Sequence, residues 1–329
     1  MESLLATAIA NLTSPAILFF VLGVLAASAK ADLELPEGMG KALSIYLLLA
    51  IGFKGGVELS ENAITPALIA LLLAGIALSF LIPFIAFALL KFATRVQPID
   101  AAAIAAHYGS ISVVTFMAAV GFLTQQGIDY EGYMVAMLAL METPAILSGL
   151  ILAAPYLRQQ GKQNNRPKLR LKDSLLNGSV VMLLGSLAIG YLVGKPGLAQ
   201  VDAFVKAPFY GLLCLFLLDM GLLVGRRLGE FRRVGVALVA FGLYMPLIGA
   251  ALGLAVSALL DLGLGETTLL AVLCASASYI VVPAAMRLAL PQAKASLYIT
   301  TSLAVTFPFN VIAGIPLYFQ LAMLLQGVN

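Results

Sequence analysis

HYGSISVVTFMAA, residues 107–119, is an apolar run interrupted by glycine and serine, and 166 positions later the chain repeats the theme as SASYIVVPAA, residues 276–285. Aligned without gaps, Ser110 falls on Ser276 and Ser112 on Ser278, while Ala118 and Ala119 fall on Ala284 and Ala285. A backbone that stops being helical at membrane depth must line a cavity or be buried in protein, because lipid supplies no hydrogen-bond partners. Interrupted apolar segments at matching places in two halves therefore point to a transport site. Pro283 suits the first turn of a restarting helix, where its missing N–H is not needed. Restarted half-helices would turn their N-terminal N–H groups, which carry partial positive charge, toward an anion. Close packing through small residues is the plainer explanation of either segment alone; the matched pair favours a site.

The rest of the chain supplies the membrane setting. Of 329 residues, 61% are hydrophobic and 11% charged, and the mean hydropathy is +1.02, which excludes an ordinary soluble domain. The composition implies an all-α polytopic membrane protein embedded in a lipid bilayer, with no nucleic-acid partner. MESLLATAIANLTSP, residues 1–15, lacks the basic start of a cleaved signal and reads as mature sequence. Cys214 and Cys274 are too far apart in sequence to suggest a disulfide framework or a metal cluster.

Hydrophobic runs and their breakers predict ten transmembrane helices, at about 14–30, 38–54, 66–91, 100–123, 131–154, 175–194, 207–225, 234–260, 267–289 and 294–321. Placing the basic 156–173 loop in the cytoplasm puts 16 of the 19 Lys and Arg residues on that side. Only Lys54, Lys195 and Lys206 fall outside, and both termini are then predicted on the outer side of a bacterial-type inner (plasma) membrane. Five spans per half is an odd number, so the second copy enters from the opposite face. The expected architecture is a first five-helix repeat at 1–155, a basic cytoplasmic linker at 156–173, and a second, inverted repeat at 174–329, with the fourth and ninth helices broken.

Glu142, in LMETPAI, sits near the middle of the fifth span. A carboxylate at that depth costs about 2.5–3.5 kcal/mol to insert, so a cation-binding or proton-carrying role is the default expectation. Pro144 should free a carbonyl one turn back, near Leu140, and carbonyl and carboxylate oxygens together suit a hard cation such as sodium. The equivalent stretch of the second half, VTFPFN, has Thr306 in place of the glutamate and Asn310 a turn further on. His107 could titrate near neutrality and tune the site, Tyr279 could gate it, and Asp219 should meet Arg226 or another basic side chain. A single histidine, distant cysteines and a solitary glutamate argue against an intramembrane enzyme. The broken pair fits alternating access better than a passive channel.

IGFKGGVEL (51–59), GSISVVTFMAA (109–119), IDYEGY (128–133), METPAIL (141–147) and SASYIVVPAAMR (276–287) together resemble the sodium-dependent bicarbonate transporter family, the SbtA-like permeases, over almost the whole chain. The resemblance implies ten helices in two inverted five-helix repeats, often assembled as a homo-trimer, and alternating-access symport of bicarbonate with sodium. It implies no other cofactor. Carried over by position, the substrate ligands come from Gly109, Ser110, Ile111, Ser112, Thr115, Ser276, Ala277 and Ser278. Glu142, Ser112 and Ser278 would serve the coupling sodium ion, with His107, Tyr279 and Asn310 gating or tuning. Relatives of this kind bind a PII-like signalling protein on the cytoplasmic side. The chain departs from the family at Tyr279, where an acidic residue is expected, and that leaves a proton-coupled or other small-carboxylate transporter as the alternative.

Overall fold

The computed structural model describes residues 13–36, 38–61, 65–159, 178–230, 235–279 and 281–327. The N-terminal residues 1–12, most of the 156–173 linker, and Arg232 and Arg233 lie outside the described residues. Every element described is helical: α1 Pro15–Ser28, α2 Met39–Glu61, α3 Pro66–Ala93, α4 Pro98–Gly109, α5 Val113–Gln126, α6 Tyr133–Leu140, α7 Pro144–Gln159, α8 Gly178–Val205, α9 Phe209–Arg227, α10 Val236–Leu259, α11 Leu264–Ala275, α12 Val281–Ala289 and α13 Ala295–Leu325. Eight stretches are long and apolar enough to cross a bilayer, counting α4–α5 and α6–α7 as one each; α1 and α11 are shorter apolar helices.

Proline opens four of these helices, at Pro15, Pro66, Pro98 and Pro144, where its missing N–H is one that the helix could not use. Ser14 and Thr65 cap the first two by accepting from the N–H groups of Ile17 and Leu68. Near Pro308, α13 carries π-helical turns over Thr300–Thr306 and Asn310–Gly314, a local widening that accommodates the missing donor. The predicted end of the sixth span at residue 194 coincides with a break in α8: Gly194, at φ 56° and ψ −157°, a conformation open in practice only to glycine, separates two helical stretches that meet at a kink.

Two groups of helices meet along one seam. In the first, α2 packs on α8 and α1 on α9. Glycines permit these contacts: a Cβ at Gly56 would overlap the Leu187 carbonyl, and one at Gly221 the Phe20 carbonyl. In the second group, α3, α4 and α7 pack mutually, as do α10, α11 and α13. Some contacts between the halves come in matched pairs: α4 on α12 matches α11 on α5, and α7 on α12 matches α13 on α5.

Two buried carboxylates, neither marked by its local sequence, tie the halves together. Asp100, in the first turn of α4, accepts the backbone N–H of Lys294 at 2.7 Å, just ahead of α13. Glu266, in the first turn of α11, accepts the N–H of Glu131 at 2.7 Å, just ahead of α6. They stand 166 positions apart, the offset that relates Ser110 to Ser276, and are only 5% and 6% exposed. Each favours its helix N-terminus electrostatically and closes a charge-assisted bond. Arg226, the expected partner for Asp219, makes an ion pair with Glu34 at 3.0 Å and also stands close enough to act on the Asp219 charge.

Asp100→Ala or Glu266→Ala is expected to cost about 1.5–3 kcal/mol, because a buried N–H loses a charged acceptor. Asp100→Asn and Glu266→Gln, which keep an acceptor oxygen, should cost less, as read by thermal unfolding of the purified protein in detergent.

Candidate functional site

The two interruptions cross and satisfy each other's backbone. The predicted fourth span breaks at Ser110–Ser112, between α4 and α5, and the predicted ninth breaks after Ala275, with Ser276–Tyr279 outside α11. The Ser112 N–H donates to Ser276 Oγ at 2.9 Å, and the Ser278 N–H donates to the His107 carbonyl at 2.8 Å. Two backbone groups that lipid could not serve are thus paired across the halves.

A third break lies beside them. Met141, Glu142 and Thr143 interrupt the predicted fifth span between α6 and α7. The carbonyls left over there belong to Met141, which accepts from Ser79 Oγ at 2.6 Å, and to Glu142, which accepts from Ser110 Oγ at 3.1 Å. Pro144 has no N–H to offer the Leu140 carbonyl one turn back, and it starts a new helix rather than notching a continuous one, so the chain unwinds over the residues directly before it.

Between the three breaks lies a small cavity of about 10 Å³, lined by Ser44, Ile111, Ser112, Val113, Glu142, Ser278, Tyr279 and Val281. That is room for about one water-sized particle. Both restarting helices, α5 and α12, present their first residues, Val113 and Val281, to it. The polar lining is all oxygen: three serine hydroxyls, a phenol and the Glu142 carboxyl group, which is 4% exposed. Oxygen donors with a carboxylate match a hard monovalent cation, and hydroxyl protons beside helix N-termini match an oxyanion.

The expected ligands divide into lining and bracing residues. Ile111, Ser112 and Ser278 face the cavity, together with Glu142 and Tyr279. Ser112 Oγ accepts from both the N–H and the hydroxyl of Thr115, at 3.2 and 2.9 Å, and lies within hydrogen-bond reach of the Tyr279 hydroxyl across the cavity wall. Thr115 stands behind it. Ser276 spends its hydroxyl on the Leu273 carbonyl and accepts from Ser112, and Ser110 is committed to Glu142. Gly109 and Ala277 are not in the lining; a Cβ at Gly109 would run into Pro83.

The tuning candidates take different positions. Asn310 donates to the Ala275 carbonyl at 2.9 Å and accepts from the Tyr318 hydroxyl at 2.8 Å, bracing the end of α11 from behind. Thr306, the counterpart of Glu142, bonds the Gly242 carbonyl and the Tyr108 hydroxyl. Tyr279 packs on Phe307 and reaches Met220 Sδ of α9 at 3.9 Å, so its side chain crosses the seam. His107 is fully buried and stacks on Tyr298; its Nδ1 lies 2.6 Å from the Ala103 carbonyl. Its Nε2 is the one buried side-chain nitrogen or oxygen among the described residues that lacks a partner. Ser44 could not be found from sequence, because α2 is unbroken around it and only the seam brings it to the cavity.

Ser276→Ala is expected to cost about 1–3 kcal/mol, since the buried Ser112 N–H loses its acceptor. Ser276→Thr should retain most of the stability, with unfolding midpoints of the two variants providing the comparison.

Residues 15–323 match the family described as the Na+-dependent bicarbonate transporter superfamily. No curated protein matches the chain.

Proposed function

We propose, from the premise that this chain belongs to the Na+-dependent bicarbonate transporter superfamily, that it is a sodium-coupled bicarbonate symporter working by alternating access. The family is one of transporters, and the apolar helices make the chain a multi-pass membrane protein. The observation that carries the finer reading is the crossing of the Ser110–Ser112 and Ser276–Tyr279 breaks beside Glu142, around a cavity of about 10 Å³. Bicarbonate would take hydrogen bonds from Ser112, Ser278 and the N-termini of α5 and α12. Sodium would take oxygens from Glu142 and the neighbouring hydroxyls. A cavity with room for one water-sized particle fits a closed state, which must open toward one face to admit the anion.

The proposed architecture is ten spans in two inverted five-helix repeats, 1–155 and 174–329. Its support is the matched packing of the two halves and the paired carboxylate bonds. Asp100 and Lys294 belong to one predicted membrane face and Glu266 and Glu131 to the other, as the positive-inside count requires. Both termini then lie outside, and the seam between the α1–α2–α8–α9 group and the remaining helices is where access would alternate. Ser44 and Tyr279 sit at this seam, one from each side.

Proteoliposomes holding the protein should accumulate labelled bicarbonate under an inward sodium gradient and lose most of that uptake when sodium is replaced by choline; uptake indifferent to sodium would sink the coupling. Glu142→Gln is expected to raise the sodium concentration for half-maximal uptake by about ten-fold or more, roughly 1.4 kcal/mol. Loss of the pH response with sodium dependence intact would mark Glu142 as a proton carrier instead.

A further inference from the structure

A second, larger cavity, of about 200 Å³, opens along the same seam and contains no part of the site described above. Its lining includes Lys54, Thr124, Tyr130 and Lys206 together with apolar residues of α2, α5 and α9. Two helices connect it to the small cavity. Along α2, Ser44 faces the inner cavity while Ile51 and Lys54 face the larger one; along α5, Val113 faces the inner one while Val120 and Thr124 face the larger. Ten residues of helix from Ser44 to Lys54 is about 15 Å. The larger cavity therefore stands in line with the site, toward the proposed outer face.

Its charge is unusual for that face. Only three basic residues are predicted outside, Lys54, Lys195 and Lys206, and two of the three line this one cavity. They are the only charged residues in its lining. Lys54 also lies over the Tyr130 ring, 5.8 Å from its centre. Carboxylates flank the cavity without lining it: Glu58 pairs with Lys54 at 3.6 Å and Asp202 with Lys206 at 2.6 Å, and Asp129 and Glu131 stand close enough to act on Glu58. Both pairs join residues four apart on one helical stretch, and both lysine side chains are about half exposed. Exposed pairs of this type are worth about 0–1 kcal/mol, so an entering oxyanion can share either ammonium at little cost. Lys54 and Tyr130 come from IGFKGGVEL and IDYEGY, two motifs whose residues the inner site leaves largely unused.

We propose that Lys54 and Lys206 form an outer capture subsite for a small monovalent oxyanion, bicarbonate or one of similar shape, ahead of the inner site. This presupposes the transport direction and topology proposed above. An oxyanion that shares the two ammonium groups with Glu58 and Asp202 is held there by charge, an effect that weakens with ionic strength.

The chain has no tryptophan, so Phe209→Trp in the cavity wall would be a sole tryptophan, excited selectively over the 11 tyrosines. Titrating the purified reporter protein with sodium bicarbonate, against sodium gluconate at equal ionic strength, should give a saturable change. Lys54→Gln with Lys206→Gln should raise the half-saturating concentration by about five-fold or more, and Lys54→Arg with Lys206→Arg should restore it. In proteoliposomes the Gln pair should slow uptake at low bicarbonate more than at saturation, and Asp202→Asn, which releases Lys206, should speed it. Titration curves that coincide for wild-type lysines and the Gln pair would overturn the subsite. Fluorescence binding that depends on the lysines, without sodium-driven uptake by the parent protein, would keep the subsite and overturn the transport reading.

Discussion

A backbone opened inside a membrane must find new partners within the protein, and this constraint organises the molecule. Three spans lose their helical ladder at neighbouring places, and side-chain hydroxyls and the opposite half take up the freed groups. Ser276 receives the Ser112 N–H, the His107 carbonyl receives the Ser278 N–H, and Ser79 and Ser110 cover the carbonyls before Pro144. An unpaired amide in hydrocarbon costs several kcal/mol, so these bonds hold the crossing as one unit. Serine suits the task because its short hydroxyl can accept from one backbone and donate to another, as Ser276 does.

The pairing explains why the breaks can carry a site at all. With Ser110, Thr115, Ser276 and Asn310 committed to bracing, Ser112, Ser278, Glu142 and Tyr279 are held facing a common space by groups that need not touch a substrate. The remaining wall, Ser44, comes from the α1–α2–α8–α9 group, which is packed through glycine contacts such as Gly56 on α8 and Gly221 on α1. In the proposed cycle, sliding along that seam changes access while the crossing bonds stay made. Tyr279, which spans the seam to Met220, is the side chain such a movement would disturb first.

Much of this was legible from spacing. The 166-residue offset between Ser110 and Ser276 located both breaks, and Glu142 stood out as a carboxylate deep in an apolar span. The same offset relates Asp100 to Glu266, but each sits beside a predicted helix end, where a carboxylate is ordinary, and nothing local marks its partner as a backbone N–H nearly two hundred or more than one hundred residues away. The division of serines into lining and bracing was not legible, since Ser110 and Ser112 have the same chemistry two positions apart. Their roles follow from which neighbour each hydroxyl meets.

The sequence by itself determined the membrane setting, the approximate spans and the positions of the paired breaks, because hydropathy, proline and small hydroxyl residues act over a few turns of chain. Tertiary structure decided which hydroxyls face the cavity, that Ser44 closes it, and that Asp100 and Glu266 fasten each half to the other. Those outcomes depend on contacts between residues far apart in the chain, whose hydrogen-bond partners exist only once the helices have packed.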